Sequence, residues 1–180
     1  MNNIKPVIFL IPVIALISAG LLYISLLKKA ADKKPFGRLI FTMTLLAFLL
    51  NFTWELLQMP LYRNSFYDVK HITFCALASV ADTIMVLLLY FGFVYIFKNL
   101  FWIQQIKLQQ SAMVILTGGT GASLSEIRHL SLGSWAYADP MPIIPVVNVG
   151  LSPVLQFMIL PLIIYVLSSF CLKDRKPKKN

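Results

Sequence analysis

Long apolar runs alternate along this chain with short polar or basic segments, a spacing that fits membrane-spanning helices better than an amphipathic soluble fold. The first run, Pro6 to Leu27, is long enough at 1.5 Å per residue to cross a hydrocarbon core of about 30 Å. The second, residues 39–59, stops at Pro60, which would disrupt a helix continuing through it. The third covers 72–97 and the fourth 111–127. That fourth run contains Thr117-Gly118-Gly119-Thr120-Gly121 and is expected to be short, broken or partly re-entrant. The last, 145–172, is 28 residues long with Pro153 and Pro161 inside it, so tilt or a proline kink is expected. Between the runs lie a short basic loop (28–38), a polar loop (61–71), an aromatic connection at Phe101-Trp102-Ile103 expected at the membrane interface, and a loop at 130–144. The predicted fold is all-α: a polytopic membrane helical bundle of about five transmembrane helices, one transmembrane domain over residues 1–180, with a basic tail at 173–180.

Composition removes the soluble alternatives. Of 180 residues, 58% are hydrophobic, and 16 basic and 7 acidic side chains are the only charged ones, which is too apolar for a soluble domain of this length. The net charge of +9 could suggest nucleic acid, but the basic residues stand just beyond apolar runs, where they set topology, so no nucleic-acid partner is expected. With the N-terminus outside, twelve of the sixteen fall on the inner side: Lys28, Lys29, Lys33, Lys34, Arg38, Lys98, Lys107, Lys173, Arg175, Lys176, Lys178 and Lys179. Only Lys5, Arg63, Lys70 and Arg128 fall outside. Five spans with the C-terminus cytoplasmic are therefore expected, since a four-span topology places one basic cluster on the wrong side. The first run is expected to be retained: only Lys5 precedes it, and the apolar stretch continues past Ser18-Ala19-Gly20. Cys75 and Cys171 fall toward opposite faces and are read as packing residues rather than a disulfide.

Candidate chemistry centres on acids within these runs. Asn51, Glu55, Gln58 and Tyr62 recur at i, i+4, i+7 and i+11, one face of a helix. Because an intramembrane carboxylate is tolerated mainly toward a bundle interior or a wet cavity, that face is a functional-site hypothesis, with Glu55 as acid or base. The bland alternative is an interhelical hydrogen-bond network that fixes packing. His71, Cys75, Ser79 and Asp82 make a second stripe. Asp82 is the deepest ionisable group, expected to relay protons, to balance Arg128 or to be held by neighbouring hydroxyls. The expected topology brings Glu126, Arg128 and His129, then Asn148 and Gln156, to the same half of the bilayer. Trp54, Trp135 and Tyr137 are read as interfacial anchors or as walls of a lipid pocket. Glu126 and His129 have the Glu-x-x-His spacing of di-iron bundles, and with Glu55 and His71 they form the low-ranking metal alternative; a second Glu-x-x-His is absent, so no metal and no cofactor is expected. The Gly-rich stretch lacks the Lys-Ser/Thr of a phosphate loop and is read as close helix packing.

The pattern Trp54-Glu55-Leu56-Leu57-Gln58-Met59-Pro60-Leu61-Tyr62, with Gly133-Ser134-Trp135-Ala136-Tyr137, Met141-Pro142 and Gly150-Leu151-Ser152-Pro153-Val154-Leu155-Gln156, resembles a family of small, functionally uncharacterised bacterial integral membrane proteins. It is more distantly similar to membrane lycopene cyclases and carotenoid hydratases, although their Pro-Glu-Glu type motif is missing. The resemblance implies the bacterial cytoplasmic (inner) membrane and protonation chemistry on an isoprenoid, with Glu55 and Glu126 the matching kind of residue. The leading expectation is a membrane enzyme, an isomerase, cyclase or hydratase of a lipid or isoprenoid. Glu55, Glu126 and Asp82 would be catalytic, and Asn51, Trp54, Gln58, Arg128, His129, Trp135, Tyr137, Asn148 and Gln156 would bind substrate. A small transporter or proton-pathway protein, and a non-catalytic assembly partner that is homo-oligomeric or bound to another membrane protein, are the alternatives.

Overall fold

The computed structural model describes residues 10–173. The start of the first expected span (6–9), Lys5, the tail 174–180 and the Cys171 side chain lie outside the described residues. Five helices form: α1 (Leu10–Lys29), α2 (Lys33–Gln58), α3 (Val69–Phe97), α4 (Leu108–Ser131) and α5 (Leu151–Lys173). Four of them, α1, α2, α3 and α5, are long and apolar enough to cross a membrane.

Caps explain where two helices begin. Asp32 accepts from the Lys34 N–H at 3.0 Å, so α2 starts at Lys33 and takes in most of the expected basic loop. Pro35 falls in the first turn, where no intrahelical N–H is lost. Asp68 accepts from the His71 N–H at 2.8 Å and opens α3 at Val69. That backbone hydrogen bond, joined by one to the His71 ring, holds the Asp68 carboxyl below the usual carboxylate range.

Two expectations are corrected. Helix α4 is continuous over 24 residues and is not broken at its glycines. The span expected from residue 145 starts only at Leu151, because residues 143–150 form a small antiparallel hairpin, β1 (Ile143–Ile144) with β2 (Val149–Gly150), in the register Ile143↔Gly150 and Ile144↔Val149. An apolar run cannot by periodicity alone distinguish a short strand from a helix.

Helix α1 packs on α3, α3 on α2, α2 on α5 and α5 on α4, which leaves α4 at an edge. At the Lys-rich end an aromatic core fills the bundle: Tyr90 stacks on Trp102 at 6.1 Å, and Tyr165 meets Trp102 edge-on at 5.4 Å. The α4–α5 seam follows from one proline and one glycine. Pro161 sits inside α5 and has no N–H, so the carbonyl of Phe157, four residues back, loses its helical donor. A Cβ on Gly118 would overlap that same Phe157 oxygen. The Gly118 Cα–H therefore points at the freed carbonyl, a weak hydrogen bond that only a glycine allows.

Gly118→Ala is expected to destabilise the protein by about 1–3 kcal/mol, the usual cost of overpacking. Gly121→Ala, whose Cβ meets nothing within 4 Å, should leave the thermal unfolding midpoint in detergent unchanged. Asp68→Ala should speed amide exchange across the first turn of α3, and in the wild type the cap should weaken as pH falls through the depressed Asp68 range, because protonation removes the acceptor.

Candidate functional site

Pro60 turns the chain out of α2 through a short 3-10 turn at Met59–Leu61, and the last turns of α2 present Asn51, Glu55 and Gln58 to α3 and α5. Their meeting point is Gln156, in the second turn of α5 and 2% exposed. Its Nε2 donates to Asn51 Oδ1 at 2.9 Å, Asp82 Oδ2 at 3.1 Å and Glu55 Oε1 at 3.3 Å. Its Oε1 accepts from Gln58 Nε2 at 3.2 Å. Gln58 Nε2 also donates to Glu55 Oε1 at 2.9 Å, and Gln58 Oε1 accepts from Ser152 Oγ at 2.8 Å. One amide thus ties two carboxyls from two helices to a third helix.

Glu126 forms a second node. It is buried on α4 and accepts from Trp135 Nε1 at 3.2 Å and from the Tyr137 hydroxyl. Both donors belong to the segment after α4, which begins with Gly133 at φ +66° and folds back over the bundle end. Arg63 N–H donates to the Ala136 carbonyl and Ala138 N–H to the Leu61 carbonyl, both at 2.9 Å, so Tyr62 and Tyr137 pair as a single β-bridge. Their rings lie 5.7 Å apart, and Trp135 meets Tyr62 edge-on at 6.3 Å. Tyr62 joins the two nodes electrostatically: burial first, then Glu126 and Glu55, push its phenol up. Burial and the bond to Glu126 push the Tyr137 phenol up too. A covered end with three carboxyls and two phenols can give and take protons away from bulk water.

Several expected members stand apart. Asn148 is exposed at φ +52° in the β1–β2 turn, since the hairpin takes the place of the helical start that would have carried it inward. His71 bonds Asp68 and does not reach the carboxyls. His129 stacks on Trp135 at 4.2 Å and its Nδ1 lies 3.3 Å from Ser134 Oγ, so the Glu-x-x-His pair does not converge on one point. Among the described residues no three His, Cys, Asp or Glu side chains are grouped to hold a metal ion. Arg128 is exposed and pairs with neither Asp82 nor Glu126. The hydroxyls beside Asp82 are committed elsewhere, Ser79 to the Cys75 carbonyl and Thr83 to the Ser79 carbonyl, both at 2.7 Å. Trp54 packs against the apolar core with its buried Nε1 unpartnered. Cys75 is a free, buried thiol directed at the Glu55 carbonyl at 3.9 Å.

Ser152 is a contributor that sequence reasoning missed. Its spacing of four from Gln156 puts both on one face of α5, the available signal. Deeper in the bundle, Tyr165 donates to the Val86 carbonyl at 2.9 Å and Tyr90 to the Leu100 carbonyl, so polar side chains also stand in the Lys-rich half. No family model matches the chain, and no curated protein or solved structure matches it either.

Gln156→Leu, close in volume, strips Glu55, Asp82 and Asn51 of their shared donor and should cost roughly 2–4 kcal/mol, against no measurable change for Asn148→Gly, which removes the side chain and keeps the left-handed backbone. Tyr137→Phe should cost about 1–3 kcal/mol by leaving buried Glu126 a single donor, and the Trp135 fluorescence should report the loosened segment.

Proposed function

We propose that this chain is an integral membrane enzyme that acts on a lipid or isoprenoid-like substrate by carboxylate acid/base chemistry at the Pro60 end of the bundle. The observation that carries this reading is the pairing of Glu55 and Asp82, from two helices, on the Gln156 amide, with a second buried carboxyl, Glu126, held under Trp135 and Tyr137 at the same end of the bundle. A network that only fixed packing could be built from amides; carboxyls are the costlier choice in lipid. Glu55 is only partly buried, which leaves it the more approachable of the two acids on Gln156. In the proposed reaction one carboxylic acid protonates a substrate C=C bond, the resulting carbocation is stabilised by the faces of Tyr62, Trp135 or Tyr137, and a neighbouring carboxylate removes a proton from an adjacent carbon. The net change is isomerisation or cyclisation, and capture of the cation by water would give hydration.

In the same proposal α4 completes five spans, with the N-terminus outside and the C-terminus inside a bacterial cytoplasmic membrane, so the site lies in the outer half. Lys28, Lys29, Lys33, Lys34, Arg38, Lys98 and Lys107 then share the inner end, where α1 and α3 finish and α2 and α4 begin. Low hydropathy in α4 is offset by the face carrying Gly118, Gly119, Ala122 and Glu126, which is buried in the fold.

Expression in a host that makes isoprenoid pigments is the test. The wild type should change the lipid or pigment profile, and Glu55→Gln and Glu126→Gln should each reduce that change by roughly a hundredfold or more. Both variants matching the wild type would remove the proposal. A proton pathway is the second reading, favoured by the hydroxyls of Tyr165 and Tyr90 at successive depths between Asp82 and the Lys-rich end. A pH-dependent flux in proteoliposomes, abolished by Asp82→Asn, would establish it instead.

A further inference from the structure

The face of α4 turned away from α5 has a shape that the acid cluster does not explain. Leu116, Thr120 and Leu124 form a ridge along the helix, with a shallow groove on either side. One groove, of about 360 Å³, runs between the ridge and α5 over Gly119 and Met158. The other, of about 430 Å³, runs over Thr117 and Gly121. Arg128 stands four residues beyond Leu124, hence on the same side one turn nearer the site end. It is exposed and forms no ion pair among the described residues. The acids at that end are engaged elsewhere: Glu126 with Trp135 and Tyr137, Asp139 with Arg63, and Asp68 with His71.

We propose that this face of α4 binds one anionic diacyl phospholipid, its phosphate on Arg128 and its two acyl chains in the grooves on either side of the Leu116–Leu124 ridge. A guanidinium is suited to a phosphate, which it can hold through two parallel hydrogen bonds. Glycines and threonines beside a leucine ridge leave the depressions in which a chain lies. Charge decides against the other natural occupant, a second copy of the protein. Copies in one membrane pack in parallel, so a two-fold contact on this ridge would set Arg128 against its own counterpart. The site is independent of the proposed reaction, because Glu126 points away from the ridge into its contacts with Trp135 and Tyr137. It rests only on the placement of α4 in the bilayer.

Native mass spectrometry of the protein released from nanodiscs of mixed phosphatidylglycerol and phosphatidylcholine tests it. The wild type should retain one phosphatidylglycerol in preference to phosphatidylcholine. Arg128→Gln should lower that preference roughly tenfold, the worth of one charge-assisted contact. Gly121→Phe should expel the lipid while leaving the fold intact, since a Cβ there meets nothing within 4 Å. Lys70→Gln, in the first turn of α3, which packs on α1 and α2, should change nothing. Equal retention of both lipids by the wild type, or unchanged preference in Arg128→Gln, overturns the proposal, as does a wild-type dimer that Gly121→Phe dissociates. Labelling of Thr120→Cys with a water-soluble maleimide, in a Cys75→Ala, Cys171→Ala background, separates the two premises. Protection of the introduced thiol with no lipid preference refutes the lipid site alone, whereas rapid labelling takes α4 out of the bilayer and the lipid site with it.

Discussion

The Gln156 carboxamide is the constraint on which the rest of this structure depends. In an apolar bundle a buried polar side chain without a partner is costly, and here a single amide serves Glu55, Asp82, Asn51 and Gln58. That fixes the rotation of α5 against α2 and α3. A separate contact starts at the next residue, where Pro161 frees the Phe157 carbonyl and Gly118 brings α4 in against it. The order of packing, α3 to α2 to α5 to α4, is thus set by a polar hub on one side of α5 and a backbone contact on the other.

The second organising pair is Glu126 with the segment that covers it. Trp135 and Tyr137 donate to the carboxyl from outside α4, while the Tyr62–Tyr137 bridge ties the same segment to the end of α2. Helix α4 therefore joins the rest of the bundle by two different means: apolar packing on α5 and a hydrogen-bonded cover shared with α2. A carboxyl held by two donors beneath that segment is one of the groups to which the proposed acid/base chemistry assigns a role.

The helices were legible because apolar runs of membrane length have few other solutions, and the Asn51, Glu55, Gln58 stripe was legible because an i, i+4, i+7 pattern must share a face. Capping was less so: Asp32 pulled the start of α2 back into a Lys-, Pro- and Gly-containing stretch that reads as loop by composition. The glycines of α4 looked like breakers, yet they serve close approach, since Gly118 and Gly119 are buried in the fold and a Cβ on Gly119 would meet Met158 Cγ at 2.9 Å. Residues 145–150 read as part of the apolar run that follows them, although Pro145, Asn148 and Gly150 are turn-forming residues, and so Asn148 is expected on a helix and not on an exposed turn. Ser152 escaped notice because a lone serine carries little signal until Gln58 is known to face it. Glu55 and Asp82 were legible as occupants of the same half of the bilayer, with Asp82 the deeper, but the partner that joins them depended on helix rotation, which periodicity leaves free.

The measurement closest to the centre of this account is a double-mutant cycle between Gln156→Leu and Asp82→Leu, read by equilibrium unfolding in mixed micelles. If the amide and the carboxyl depend on each other as the geometry has them, the two losses should be non-additive by about 1–3 kcal/mol. Additive losses, with a coupling energy near zero, would show that Gln156 does not hold the acids together and would contradict the account.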